Sequence, residues 1–120
     1  MSEHKDRPLP RRLHNGLRGL AQGWRRERSL RTQVVASVLA LIVLIATRPP
    51  MPWLLAVPVM LALALAAELA NAALEALLDR LHPGFDADIG AAKDMSSAAV
   101  LVANIAAAAV FVVALFERFD

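Results

Sequence analysis

The sequence predicts an all-α integral membrane protein built from one amphipathic surface helix and three transmembrane helices. Three observations carry that expectation. The chain has 120 residues of which 58% are hydrophobic, too few for two domains and too apolar for an ordinary soluble one. Its apolar residues gather into three long runs separated by short breaks. Its charge is uneven: nine of the thirteen basic residues (Lys5, Arg7, Arg11, Arg12, Arg18, Arg25, Arg26, Arg28, Arg31) precede the first apolar run. Such a cluster suits nucleic acid in a soluble protein, but a basic segment feeding straight into a membrane span is what the positive-inside rule expects, so no nucleic-acid partner is expected. With no cysteine, disulfides, thiolate metal sites and cysteine nucleophiles are excluded.

Taken in order, residues 9–29 read as a helix lying on the membrane surface, since Leu13, Leu17, Leu20 and Trp24 recur at helical spacing among arginines. Gly16, Gly19 and Gly23 form a smooth strip on it, open to close approach by a backbone or a ligand, or merely loosening the helix. The first span covers about 32–48; the uncharged stretch between Arg31 and Arg48 holds 16 residues. At ~1.5 Å per residue that is about 24 Å, short enough to need snorkelling arginines or a thinned bilayer. A secretory signal peptide is the competing reading, disfavoured by the long basic region and the lack of a small-residue cleavage signature. Arg48-Pro49-Pro50-Met51-Pro52 cannot continue a helix and reads as a tight turn. The second span covers about 52–80, with no breaker before Pro83, and the third about 95–116; Leu81 to Ala92 between them reads as a short loop. With the amino terminus cytoplasmic, eleven basic residues (the nine plus Arg80 and Lys93) lie inside and two (Arg48 and Arg118) outside, which puts the carboxyl terminus on the external side.

The second span carries Glu68, Asn71, Glu75 and Asp79. At ~100° per residue the three carboxylates fall within about 20° of one line, with Asn71 about 60° to the side. Carboxylates on the inner half of a membrane helix cost several kcal/mol unless paired, hydrated or bound to a cation. Asp79 is close enough to the surface to face water; Glu68, about 16 Å deeper, is not. The loop carries Gly84, Phe85 and Asp86, and Lys93-Asp94 stands just before the third span as an ordinary charged cap or as ligands for phosphate and for a metal or ribose hydroxyl. Together, the carboxylate stripe, basic helix and short loop suggest a site for an anionic ligand with a divalent cation.

The run Glu68-Leu69-Ala70-Asn71-Ala72-Ala73-Leu74-Glu75-Ala76-Leu77-Leu78-Asp79, followed by Lys93-Asp94-Met95-Ser96-Ser97-Ala98-Ala99-Val100, closely resembles the prokaryotic diacylglycerol kinases, whose pattern is E-x-x-N-[ST/A]-A-[IL]-E-x-x-x-D and then K-D-x-x-[SA]-A-A-V. Gly19-Leu20, Trp24, Glu27 and Arg31 also sit in family register, so the resemblance covers nearly the whole chain. It implies a homotrimer in the bacterial cytoplasmic membrane, with active sites shared between subunits, that moves the γ-phosphate of ATP onto diacylglycerol to give phosphatidic acid. By the same resemblance Glu68 matches the catalytic base, with Asn71 beside it, and Ser97 a residue on the lipid side. Glu27 and Glu75 match the carboxylates that hold Mg²⁺. Lys93 and Asp94 match nucleotide contacts, as do Gly84, Phe85 and Asp86. Arg11, with Arg12 as competitor, and Asn15 fall at amino-terminal nucleotide contacts. The chain departs from the family at Ala91 (often arginine), Asn15 (aromatic), Gln33 (acid) and Asn104 (apolar); for Asn104 an interhelical hydrogen bond is expected.

The missing motifs agree with this reading. No GxxxxGK[ST] phosphate loop or soluble-kinase signature occurs. Phosphoryl transfer needs charge neutralisation and in-line placement, which two metal-holding carboxylates and a lysine would supply. An undecaprenol kinase shares the same motifs. A small multidrug transporter also carries an intramembrane glutamate, but a fourth span is missing here and the carboxylates crowd one end. A purely structural helical protein leaves three aligned carboxylates without a task.

Overall fold

The computed structural model of the chain describes residues 8–117, and these form four helices. They are α1 (Leu9–Arg26), α2 (Arg28–Thr47), α3 (Met51–Leu81) and α4 (Ala87–Glu117). Lys5, Arg7 and the end of the tail, Arg118-Phe119-Asp120, lie outside the described residues.

Helix α1 starts after Pro8, whose extended backbone (φ −63°, ψ 153°) lets its carbonyl accept from the N–H groups of Arg11 and Arg12 at 3.1 Å. Pro10 sits in the first turn, where it has no intrahelical N–H bond to lose. No residue of α1 is buried, and Leu13, Leu17, Leu20 and Trp24 all stand exposed, the disposition of a helix whose apolar stripe lies against something outside the protomer.

The surface helix ends three residues before the expected Ser29, at an elbow in Glu27 (φ −113°, ψ 109°). Hydrogen bonding explains where. Glu27 N–H still reaches Gly23 O at 2.8 Å, while Arg31 folds back so that Nη1 donates to the carbonyls of Trp24 (2.6 Å) and Arg25 (3.2 Å). The last turn of α1 is thus closed by a side chain from the next helix. Removing that guanidinium by Arg31→Ala is expected to loosen the elbow by about 1 kcal/mol, given the exposure of the bonds. Trypsin cleavage after Arg26 and Arg28 in membranes should then accelerate several-fold; an unchanged rate would deny Arg31 this role.

Because α2 begins at Arg28, its 20 residues give ~30 Å of helix, with Arg28 and Arg31 flanking the same 16-residue uncharged stretch as the arginines that a short span needs at the membrane surface. It stops at Arg48 in the left-handed region (φ 52°, ψ 57°), whose N–H reaches Ile45 O at 3.2 Å. Pro49 and Pro50 then prevent continuation, and Trp53 N–H bonds to Pro50 O at 3.0 Å as α3 begins. α3 matches the expected second span to within a residue at each end and runs through Pro58, whose missing N–H a helix in a bundle tolerates.

The expected loop through Ala92 is corrected: only residues 82–86 connect α3 to α4. Asp86 is the reason. Its Oδ1 accepts from the N–H groups of Asp88 (2.9 Å) and Ile89 (3.1 Å), and its carbonyl takes Gly90 N–H at 2.9 Å, a full amino-terminal cap. The alanine-rich segment behind it favours helix enough to absorb Gly90, which costs about 1 kcal/mol. Lys93-Asp94 is therefore inside the helix, two turns in, and is not its cap.

α3 and α4 form the most extensive helix pair, α2 packs mainly on α3, and α1 touches α2 and α3 at one end only. With short connectors the spans run up, down and up. The second half of α3 therefore returns to the end where α2 and α4 begin and where α1 lies. Leu44, Val57 and Ala114 are fully buried at the opposite end, with Trp53, Leu61 and Phe111 packed around them. At 31 residues each, α3 and α4 are ~46 Å long, about 16 Å more than a hydrocarbon core, so they project beyond it. In the 18-residue apolar windows of the spans only 11–17% is buried within the protomer, which leaves much apolar surface on the outside of the bundle.

Candidate active site

The polar face of α3 becomes more accessible toward the α1 end. Glu68 is 7% exposed, Asn71 and Glu75 are half-buried, and Asp79 is exposed. Glu68 is the one buried charged residue among those described. Its Oε1 accepts a hydrogen bond of 2.5 Å from Ser29 Oγ, in the first turn of α2. Ser29 stands there because the elbow at Glu27 restarts the helix one residue earlier. No sequence signal singles it out, since 39 residues separate it from Glu68 and only the register of α2 against α3 joins them.

An open groove of about 640 Å³ leads along α2 and α4 to this carboxylate, lined by Ser29, Thr32, Gln33, Ala36, Glu68 and Asn104. Asn104 Nδ2 donates to Val100 O (3.0 Å) within α4 and, at a long 3.5 Å, to Gln33 Oε1, the interhelical contact expected of it.

A second cleft, of about 370 Å³, opens between α1 and α3. Gly16, Gly19, Arg26 and Glu27 line it on one side, Leu69 and Ala72 on the other. A Cβ at Gly16 or Gly19 would meet nothing within 4 Å, so their bare backbone is open to a ligand, whereas one at Gly23 would lie 2.7 Å from Leu30 Cδ2 and 3.0 Å from Leu69 Cδ2. The glycine strip thus packs α1 at its end and leaves free backbone further up.

The other expected residues divide. Lys93 Nζ forms a short ion pair with Asp79 that ties α4 to α3; Lys93 is about one-third exposed and Asp79 65% exposed, so solvent screens the pair and it contributes ~0–1 kcal/mol. Asn15 lines a hollow with Arg12, the competitor of Arg11, and Arg11 itself does not line it. Asn15 Nδ2 and Asn71 Oδ1 are buried without hydrogen-bond partners. Gly84, Phe85 and Asp86 occupy the connector, Phe85 at 95% exposure, and line none of the clefts. Ser97 and Asp94 are exposed on α4, and Ser97 does not line the groove of Glu68.

The donor set suits a hard cation that keeps other ligands. Among the described residues no three histidine, aspartate or glutamate side chains converge as a metal cage, and Glu27 lines the glycine cleft while Glu75 does not. One or two carboxylates with phosphate oxygens and waters completing the shell is how a divalent cation is commonly held, so a carboxylate such as Glu27 at the edge of the cleft has the chemistry for such an ion without a full protein cage.

Fold and site together define a small multi-pass helical membrane protein with a buried carboxylate at the end of an outward-facing groove and a glycine-lined cleft next to it. The chain belongs to the prokaryotic diacylglycerol kinase family, lipid kinases whose family profile matches residues 14–115. It is 35% identical over 104 residues, 85% of this chain and 84% of the relative, to the diacylglycerol kinase of Escherichia coli (strain K12). It is equally similar to that of Shigella flexneri.

Proposed function

We propose that the chain transfers the γ-phosphate of MgATP to the free hydroxyl of diacylglycerol at the cytoplasmic face of the membrane, giving phosphatidic acid for phospholipid metabolism. The observation that carries this reading is the buried Glu68, hydrogen-bonded to Ser29 at the end of a groove open to the side of the bundle. A lipid reaching that groove from the bilayer brings its hydroxyl to the carboxylate without leaving the membrane.

Glu68 accepts the hydroxyl proton as the lipid oxygen bonds to the γ-phosphorus, the bond from that phosphorus to the β–γ bridging oxygen breaks in line, and ADP departs. Ser29, donating to Oε1, holds the carboxylate in orientation and leaves Oε2 for the proton. Asn71 lies one turn away on α3 and positions the headgroup, with Ser97 on its outer side. The triphosphate lies in the glycine cleft against the bare backbone of Gly16 and Gly19, with Asn15 and Arg11 or Arg12 toward the nucleotide and Gly84, Phe85, Asp86 and Asp94 closing over it. Glu27 and Glu75 would hold a divalent cation, Mg²⁺ on this reading, which would supply charge neutralisation at the phosphates. That Glu75 does not share the cleft of Glu27 supports sites completed by a neighbouring subunit of a homotrimer. The eleven basic residues expected inside against two outside support a cytoplasmic amino terminus and an external carboxyl terminus.

Incubating the purified protein in mixed micelles with MgATP and each of diacylglycerol, ceramide and undecaprenol, and following phosphate into lipid, tests the reading. Preferred labelling of undecaprenol would make the chain a polyprenol kinase; no labelling would remove the lipid-kinase assignment. Lys93→Ala is expected to raise the apparent KM for ATP about tenfold or more and that for lipid little, because its proposed partner is phosphate. A change confined to lipid dependence would take Lys93 out of the nucleotide site.

A further inference from the structure

Helix α1 carries five arginines and no acidic residue. Of the five, Arg26 lines the glycine cleft, and Arg11, Arg12, Arg18 and Arg25 do not. Helical geometry accounts for the difference. At ~100° per residue Arg26 lies about 150° from the centre of the stripe formed by Leu13, Leu17, Leu20 and Trp24, so it is turned away from the membrane side. It lies only about 50° from the centre of the Gly16, Gly19 and Gly23 strip, which it continues at the next turn. Arg11, Arg18 and Arg25 fall together on a line about 130° from those glycines.

The backbone under Arg26 is fixed. One turn before it, α1 comes so close to the bundle that a Cβ on Gly23 would lie 2.7 Å from Leu30 and 3.0 Å from Leu69, and Leu30 is fully buried. The next residue, Glu27, forms the elbow and lines the same cleft. The guanidinium itself is left without a carboxylate, since the two ion pairs among the described residues are His82–Asp86 and Lys93–Asp79. A basic residue in the last turn of a helix commonly serves its carbonyl end. Here Arg31 already takes the carbonyls of Trp24 and Arg25. Across the cleft stand Leu69, Ala72 and Ala76, which offer no anion.

We propose that Arg26 is a phosphate-binding residue, which grips the triphosphate of the nucleotide through two guanidinium N–H groups where the glycine strip ends beside Glu27. The planar fork matches a pair of phosphate oxygens, and the bare backbone of Gly16 and Gly19 leaves room for the chain of phosphates that leads to it. This rests on the reading of the glycine cleft as the nucleotide site. A lipid headgroup is the other source of phosphate at this surface, and the turn of Arg26 away from the leucine stripe favours the nucleotide.

The test uses the full chain in mixed micelles with saturating diacylglycerol and varied MgATP. Arg26→Gln is expected to raise the apparent KM for ATP about tenfold, the effect of one charge-assisted contact, and to change that for lipid less than about twofold. Isothermal titration with a non-hydrolysable MgATP analogue should show a matching loss of affinity without turnover. Arg26→Lys, which keeps the charge but not the fork, should recover only part of it. Arg25→Gln removes the same charge outside the cleft and, screened by solvent, should shift either constant by less than about twofold. Circular dichroism like that of the wild type is expected throughout, since both side chains are exposed. Wild-type constants in Arg26→Gln or in Arg26→Lys overturn the assignment, the second by reducing the residue to a point charge at the helix end. Equal effects of Arg25→Gln and Arg26→Gln overturn it in favour of the general field of α1. A rise confined to the lipid constant overturns it in favour of a headgroup. Absence of both transfer and analogue binding in the wild type overturns the underlying reading of the cleft and this one with it.

Discussion

Replacing Glu68 by glutamine is expected to lower phosphoryl transfer by ~10²-fold or more while nucleotide binding persists. Glutamine keeps the shape and still accepts through Oε1 from Ser29 Oγ, so the contact between α2 and α3 survives. It cannot take a proton. The competing role is a third metal ligand. Glu68 and Glu75 lie on one face, but seven residues put them about 10.5 Å apart along the axis, and one Mg²⁺ with oxygen ligands near 2.1 Å is not readily bound by both. Only Glu68 lines the outward groove, and Glu27 lines the other cleft. Isothermal titration with a non-hydrolysable MgATP analogue, alongside lipid phosphorylation rates, separates the roles. Loss of analogue binding in Glu68→Gln would move the residue to the metal or nucleotide; unchanged turnover would place the base elsewhere.

Glu27→Ala and Glu75→Ala are each expected to abolish measurable transfer and to leave the helical protein folded. The cause is electrostatic: a triphosphate without its cation repels an approaching oxygen nucleophile, and on the proposed reading each carboxylate supplies part of what holds that cation. Neither side chain is needed by the core, since both are only half-buried and neither carboxylate accepts a hydrogen bond among the described residues. The elbow at Glu27 is held by backbone groups and by Arg31, so alanine there should preserve it. Circular dichroism and size-exclusion profiles like those of the wild type, with transfer lost, are the expected pair. Near-normal MgATP turnover in either variant would remove that residue from the metal site.

How much of this was legible in the sequence varies with the range of the physics involved. The second span, α3, was readable to within a residue because Pro50 and Pro52 stand at its start and nothing ends its apolar run. The amphipathic α1 was equally plain from the spacing of Leu13, Leu17, Leu20 and Trp24, but its end was not, because the clamp that closes it comes from Arg31 on the next helix. The start of α4 was placed two turns late. Gly84 and Gly90 suggested one continuous loop, whereas Asp86 caps the helix between them. For the site, periodicity alone put Glu68, Glu75 and Asp79 on one face, and their graded exposure follows from depth. Ser29 and the meeting of Gln33 with Asn104 depend on which turn of one helix packs against which turn of another, and short-range patterns carry no information on that.

The elbow at Glu27 sets a limit on how the two halves of such an enzyme can be tuned. Glu27 borders the glycine cleft, and Ser29, two residues on, grips the carboxylate at the end of the lipid groove. On the proposed reading, one bent segment thus serves as a common footing for both substrates. Changes within it cannot alter one affinity in isolation: any shift of the corner carries the phosphate side and the hydroxyl side together. Adaptation to a new lipid, without disturbing the nucleotide, is left to the outer stretches of the groove, where Gln33 and Asn104 have already diverged.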